Sequence, residues 1–416
     1  MKKYLKVIVC LLIIMVLNAG GVCAEEKKPV EIVFWGDWGG QGEIQFNTML
    51  EDFNVAHPGI KAKYVVTQGL ITKFLTGVAS GNVPDILYWD RWRTALYAPK
   101  GAFQPIDEYM EKDNIEKEEF FSEAIRELTS DGKLYGLPIT VDNRSLYYNK
   151  EMLREKGLTP PTTWEELRQA AIKLAKWDGD RLILAGMSLQ DVGLFSMWIW
   201  QAGGRMVTDD GTKTAFNSPE GLKVLEFWDQ LVNKDKVYKW GFEVGLRSAL
   251  SPFITRKVAM LYEGPWMLST YKKYGKGLEF GVVPPPAGPN GNKGAMMGGF
   301  GLVIPKDSKH KAEAWELIRW WLSEPENAIK WSKMSLNIPT HLEAIKDPFF
   351  ATDEYFVAFL ETMKFARIRP PLPNYPQMEI KVLIPELQLF MEGKISAKEA
   401  LEKAAEIGDK ILQEKE

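Results

Sequence analysis

The stretch Ser80–Ala98 reads SGNVPDILYWDRWRTALYA and indicates how this chain folds. It opens with glycine, asparagine and proline, which favour a turn at the end of a helix. The apolar run Ile86–Tyr88 then has the length of a buried strand. Because ligands bind beyond the carboxyl ends of strands in open α/β sheets, the Trp-Asp-Arg-Trp cluster of Trp89, Asp90, Arg91 and Trp92 forms a candidate binding surface. Equally, both Trp could belong to the core while Asp90 caps the next helix.

The segments before this stretch predict a β-α-β-α-β arrangement. Alternation over Val30–Trp35 and Lys61–Val66 predicts strands, and apolar periodicity over Gly42–Ala56 and Leu70–Ala79 predicts helices. Consecutive units of this kind favour a doubly wound parallel sheet. The glycine-rich loop after the first strand carries Trp38, but it matches neither the dinucleotide fingerprint nor the P-loop. Nucleotide binding is therefore not expected.

The composition argues against several classes of function. The 416 residues include 15 Trp, 14 Tyr and 20 Phe, but only three His. Aromatic side chains suit sugars, which have apolar faces and hydroxyl rims, although a Trp-rich core is the alternative. A formal charge of −3 without a basic patch argues against a nucleic-acid partner. Because no His stands at a metal-ligand spacing and no nucleophile-elbow motif occurs, we expect no cofactor, no metal and no enzyme.

The first 24 residues indicate a secretory signal peptide. Three lysines precede the apolar run Val7–Leu17, and small residues lead to Ala24. We expect cleavage after Ala24; lipid attachment at Cys23 is the less favoured alternative, because the residues before it fit that motif poorly. Cleavage would remove both cysteines, Cys10 and Cys23, and three lysines, which changes the formal charge from −3 to −6. We therefore expect a soluble periplasmic or extracellular protein without disulfides.

A series of short motifs runs along the mature chain. In order, they are Ile32–Trp35, His57–Ile60, Ala79–Asn82, Tyr135–Pro138, Leu146–Lys150, Pro161–Leu167, Ala259–Trp266 and Pro373–Met378. The set resembles the extracellular solute-binding proteins of ABC importers, and within them the family 1 carbohydrate group. The resemblance implies a two-lobed periplasmic-binding-protein fold of type II, each lobe a mostly parallel sheet flanked by helices. It also implies a monomer that delivers a carbohydrate to the importer's membrane subunits.

The resemblance further implies that each lobe is built from two pieces of chain. We expect residues 27–138 and 282–334 in the first lobe, and residues 139–281 and 335–416 in the second. The ligand would lie in the cleft between the lobes, and binding would close them by a hinge. One position departs from the maltose-binding members: Val382 stands near the place where they carry an aromatic residue. This departure puts maltose in doubt as the ligand.

Nine residues are predicted to contact the ligand, the three Trp by stacking and the carboxylates and the Asn by bonding hydroxyls. They are Trp38, Trp89, Asp90, Asp142, Asn143, Glu263, Trp266, Gly299 and Phe300. The resemblance matches Trp89 and Trp266 to aromatic residues that pack on sugar, and Asp142 to a carboxylate that accepts hydroxyl hydrogen bonds. It places Gly299 and Phe300 beside the cleft. Local sequence alone equally allows a self-bonded turn at Asp142, and interior packing is the alternative for Trp266.

Three other functions stay open from the sequence. A phosphorylated polyol or another polar solute would need a cationic, amide-rich site with fewer aromatic residues. A receptor that presents its ligand to a sensor would have the same fold. A glycoside hydrolase could use Asp90 and Asp142 as a carboxylate pair, but the resembling family binds without turnover.

Overall fold

The computed structural model of the protein describes residues 28–246 and 250–414. The predicted signal peptide and Cys23 lie outside these residues. The described strands are β1 (Val30–Gly36), β2 (Ile60–Val66), β3 (Ile86–Asp90), β4 (Thr129–Ser130), β5 (Lys133–Leu134), β6 (Gly136–Pro138), β7 (Asp142–Asn143), β8 (Ser145–Asn149), β9 (Lys176–Asp178), β10 (Arg181–Leu184), β11 (Met260–Glu263), β12 (Phe280–Val283), β13 (Ala295–Gly298), β14 (Phe300–Val303) and β15 (Ala366–Arg367).

The α-helices alternate with these strands along the chain. They are α1 (Gln41–Ala56), α2 (Leu70–Ser80), α3 (Thr94–Tyr97), α4 (Asp107–Asp113), α5 (Ser122–Glu127), α6 (Lys150–Glu155), α7 (Trp164–Leu174), α8 (Phe195–Ala202), α9 (Pro219–Asp229), α10 (Met267–Tyr274), α11 (Lys311–Leu322), α12 (Pro325–Ser335), α13 (Pro348–Thr352), α14 (Glu354–Met363), α15 (Tyr375–Met378), α16 (Ile384–Met391) and α17 (Ala397–Gln413). None of the helices that the structure describes combines the length and hydropathy of a membrane-spanning helix.

The first sheet has five strands in the order β2-β1-β3-β14-β6. β1 pairs in parallel with β2 and β3, whereas β14 is antiparallel to β3 and β6. Helix α1 packs on this sheet through Phe46, Met49, Leu50 and Phe53, which are buried as their spacing predicts. The predicted β-α-β-α-β order is confirmed, and a strand from far along the chain completes the sheet.

The second sheet has three strands in the order β11-β8-β12, and both pairings are antiparallel. The α/β class is confirmed, but this sheet differs from the mostly parallel sheet expected in each lobe. A short apolar run that is buried on both faces looks the same in a parallel and an antiparallel strand. Strand direction here depends on how the chain returns, which local sequence does not reveal.

Two large hydrophobic clusters divide the described residues. One contains core residues from Ile32 to Ile139 and from Leu302 to Trp331; the other runs from Leu146 to Met296 and from Ile338 to Ala404. The chain therefore passes between them three times. A third sheet, in the order β15-β13-β7, and a bridge between Val141 and Ile338 join these passages. The precise lobe boundaries given above stay a prediction.

Candidate functional site

A cavity of about 390 Å³ lies where the chain passes between the two clusters. Six of the nine predicted contacts line it: Trp38, Asp90, Asp142, Trp266, Gly299 and Phe300. A second cavity of about 420 Å³ shares Asp90 and Phe300 with the first, and adds Asp37, Gln68 and Thr72. The two cavities therefore adjoin and form one extended polar and aromatic surface.

Two carboxylates stand at strand ends in this surface, because β3 ends at Asp90 and β7 begins at Asp142. Oδ2 of Asp90 accepts a hydrogen bond from Nε1 of Trp92 at 2.7 Å, and Oδ1 of Asp142 accepts one from Nη1 of Arg144 at 3.3 Å. Burial raises the pKa of both carboxyls, while nearby arginines, Arg93 beside Asp90 and Arg144 beside Asp142, lower it. Each carboxylate retains lone pairs that can accept hydroxyl hydrogen bonds.

Trp266 stands at the start of α10 and is only partly buried. Its ring lies against Gly264, where an added Cβ would be 1.8 Å from a ring atom, so only glycine fits at that position. The guanidinium carbon of Arg144 lies 4.2 Å from the ring centroid. The ring is thus held between a glycine backbone and a cation.

Two further aromatic residues lie on the side of the first sheet. Phe300 stacks on Tyr88 with ring centroids 4.2 Å apart, and Trp38 contacts Phe300 edge-on at 5.9 Å. Both Trp38 and Phe300 are partly exposed, whereas Tyr88 is buried beneath them. The cavity therefore has aromatic surfaces on the sides of both clusters.

Trp92 and Arg369 were not among the nine predicted contacts, although Trp92 belongs to the candidate surface at the end of β3, and both line the first cavity. The guanidinium of Arg369 lies 4.5 Å from the Trp92 ring centroid, and its Nε donates to both carboxylate oxygens of Glu379 at 2.9 and 3.0 Å. These bonds use Nε, so Glu379 does not engage the outer nitrogens of Arg369 through them. A buried carboxylate thus orients an arginine in the cavity.

Two predicted contacts are almost fully buried, although Trp89 borders the second cavity. Trp89 has 1% of its surface exposed and packs on Phe103 and Phe74 with centroids 4.9 and 6.1 Å away. Successive strand residues point to opposite faces, so Trp89 enters the core while Asp90 reaches the cavity. Asn143 is fully buried, where it donates to the carbonyl of Phe359 at 2.9 Å and accepts from the hydroxyl of Ser145. The side chain of Asn143 therefore bonds within the protein and lines neither cavity.

Glu263 ends β11 and does not line the first cavity. Burial raises the pKa of its carboxyl to about 7; Arg144 opposes this shift and Asp191 adds to it. Glu263 therefore lies within the field of Arg144, beside the site, and its contact with a ligand stays a prediction.

Some lining residues carried a sequence signal and others did not. Trp92 belongs to the quoted Trp-Asp-Arg-Trp cluster, and Arg144 follows Asp142 by two residues, the spacing that puts extended residues on one face. Thr140 and Asn337 line the cavity without any such signal. Thr140 and Asn337 both reach the cavity because the two chain segments that carry them lie side by side.

The described residues contain no group of His, Cys, Asp and Glu that could hold a metal ion. The lining of the first cavity offers hydrogen-bond acceptors, guanidinium donors and aromatic faces. These groups can recognise a polar ligand that also has an apolar face.

Comparisons with known proteins agree on one family. A family model described as bacterial extracellular solute-binding protein matches residues 39–328. The structure is similar to an ABC transporter solute-binding protein of Thermotoga lettingae solved with α-D-tagatose, with a TM-score of 0.82 and 28% identity over 92% of this chain and 100% of that one. The fold is therefore the two-lobed fold of that protein.

Two relatives differ in what their names say they bind. A maltotriose-binding protein of Pyrococcus abyssi is 25% identical over 355 residues, which cover 83% of this chain and 74% of the relative. An sn-glycerol-3-phosphate-binding periplasmic protein of Pectobacterium atrosepticum is 25% identical over 429 residues, covering 94% and 93%.

Proposed function

Because the chain belongs to the family of bacterial extracellular solute-binding proteins, we propose that it captures a carbohydrate outside the cell and delivers it to the membrane subunits of an ABC importer. One observation carries the choice of ligand. The first cavity brings Trp266, Phe300 and Trp38 together with the carboxylates of Asp90 and Asp142. Aromatic faces match the C–H faces of a sugar ring, and carboxylates accept its hydroxyls. The known ligands of the similar proteins, tagatose and maltotriose, support this choice.

The ligand is an oligosaccharide in this proposal. The second cavity continues from the first across Asp90 and Phe300, and its polar residues Gln68 and Thr72 can bond the hydroxyls of another sugar unit. A single small sugar would leave one of the two cavities unused. We expect the chain to be a monomer that binds without turnover and closes around its ligand at the three passages. The site of action is the periplasm or the cell exterior, with lipid attachment at Cys23 as the less favoured form.

A phosphorylated polyol is the second candidate, which the glycerol-phosphate-binding relative favours. Phosphate sites use arginines whose charge is available to the anion. Here Arg144 is already paired with Asp142, and Arg369 with Glu379. Asp90 adds another carboxylate to the same cavity. These charges favour a neutral sugar over a phosphate.

A thermal-shift screen of the mature protein tests the proposal. A ligand that binds only the folded state raises the melting temperature, so the panel contains neutral mono- and oligosaccharides together with sn-glycerol 3-phosphate. We expect an oligosaccharide to give the largest shift. Trp266→Ala should weaken its binding roughly 30-fold or more, as for a central aromatic contact.

Tyr274→Ala is the matched control, because Tyr274 is an exposed aromatic residue on the same helix, α10. It should leave ligand binding unchanged. A shift with glycerol phosphate and none with any saccharide would reject the carbohydrate in favour of the second candidate. Cleavage of the bound saccharide would instead show an enzyme.

A further inference from the structure

Arg144 covers a face of the Trp266 ring in the candidate site. Its Cζ lies 4.2 Å from the ring centroid, well within the range of a cation–π contact. A guanidinium this close to the centroid lies above the ring, since an approach in the plane of the ring would hold it farther away. Both side chains line the first cavity. The covered face is thus a face that a ligand in this cavity would otherwise reach.

The neighbours of Arg144 hold it in this position. Nη1 lies 3.3 Å from Oδ1 of Asp142, and the backbone N–H of Arg144 donates to the carbonyl of Met296 at 3.0 Å. The side chain is 23% exposed, so the contact is partly shielded from water. A partly desolvated cation on an indole face is more strongly attracted than an exposed one. These contacts therefore stabilise Arg144 in its position over the ring.

The Trp266 ring has no room to move toward Gly264. A Cβ at Gly264 would lie 1.8 Å from the ring, which shows how closely the ring already approaches this backbone. The backbone of Gly264 thus confines the ring on one side. A sugar that stacks on the face covered by Arg144 must therefore move that side chain.

We propose that Arg144 competes with the ligand: it covers the sugar-binding face of Trp266, and a carbohydrate displaces it in order to stack. This inference rests on the proposed function. The displaced guanidinium can remain paired with Asp142, and it also lies within the field of the Glu263 carboxyl. A solute without an apolar face gains nothing from displacing Arg144. The residue thus lowers affinity and favours ligands with a large stacking face.

Calorimetric titration with the saccharide that gives the largest thermal shift tests this competition. Arg144→Ala should bind that saccharide roughly 3- to 10-fold more tightly, because the lost cation–π contact no longer opposes stacking. The gain should vanish when the same substitution is made in a Trp266→Ala background, since the contact that couples the two residues is then absent. Arg144→Gln keeps a hydrogen-bond donor for Asp142 and should also show the gain.

Arg154→Ala is the matched control, because Arg154 forms an exposed ion pair with Glu279 on the surface. The affinity of the Arg154→Ala protein for the saccharide should equal that of the wild type. Weaker or unchanged binding by Arg144→Ala and Arg144→Gln would overturn the inference. An equal gain in affinity in the wild-type and Trp266→Ala backgrounds would also overturn it, because it would show that Arg144 acts through Asp142 instead. A crystal structure of the complex should show Arg144 more than about 6 Å from the Trp266 centroid, and an unmoved Arg144 would overturn it too. If no saccharide binds the wild type, the proposed function fails and this inference fails with it.

Discussion

Nε of Arg91 lies 3.0 Å from Oε2 of Glu127, and neither side chain reaches the surface. The other guanidinium nitrogens of Arg91 donate to the carbonyls of Thr140, Gly298 and Phe300. Arg91 follows β3 directly, whereas the three carbonyls belong to two passages between the clusters. Arg91, held by a buried ion pair, therefore connects the end of the central strand to the segments that border the cavity.

Loss of either partner of this pair should destabilise the protein strongly. Arg91→Met leaves the Glu127 carboxylate and the three carbonyls buried without a partner. Glu127→Gln leaves the buried guanidinium without its counter-charge. Changes of this kind cost about 3–5 kcal/mol in comparable cases. Urea unfolding measures the change. The control is Arg181→Ala, whose ion pair with Asp178 is 75% exposed on both sides and should contribute less than about 1 kcal/mol. Equal effects at the two sites would show that Arg91 is not an anchor.

Gly299 should tolerate no side chain, for a reason separate from its φ of +129°. A Cβ there would lie 2.3 Å from the carbonyl oxygen of Thr140 and 2.7 Å from Nη1 of Arg91. Gly291 also has a positive φ, +75°, but an added Cβ would meet nothing within 4 Å. Gly291→Ala should therefore cost about 1 kcal/mol of backbone strain, and Gly299→Ala clearly more. Equal losses in melting temperature would contradict the close approach.

The same substitution at two neighbouring tryptophans should separate core from site. Trp89→Phe shrinks a fully packed side chain and should cost about 1–3 kcal/mol of stability without changing ligand affinity. Trp92→Phe removes the 2.7 Å hydrogen bond to Asp90 at the cavity. It should weaken ligand binding roughly 3- to 10-fold while stability changes little. A reversed pattern would return Trp89 to the binding site.

The sequence predicted most of the first sheet because its signals are local. The apolar run of β3 and the buried face of α1 depend on residues close together in the chain, and both were found as expected. The antiparallel pairings of β8 were not predictable in this way, because they depend on where β11 and β12 return.

The candidate site likewise contains residues that local sequence signals predict and residues that they do not. Asp90 and Trp266 are signalled by a strand end and a helix start, and both line the cavity. Thr140 and Asn337 reach it from separate passages with no local signal. Trp89 shows the limit most clearly: a cluster of aromatic residues at a strand end predicts a site, but strand alternation decides which of them enters the core.

Glu263 should make stability depend on pH near neutrality. Burial raises the pKa of its carboxyl from 4.5 to about 7; the charge of Arg144 lowers this pKa, and the charges of Asp191 and Glu243 raise it. A raised pKa means that the folded state binds more protons than the unfolded state between these values, so stability from this group is complete below about pH 4.5 and is lost as the pH rises through 7.

Glu263→Gln mimics the protonated form. It should match the wild type below about pH 4.5 and be more stable at pH 8, by roughly 1–3 kcal/mol. Melting temperatures across this range measure the difference, and Glu51→Gln, an exposed position on α1, should show no such trend. A Glu263→Gln protein that is less stable than the wild type at pH 8 would instead mean that Arg144 holds the carboxyl ionised.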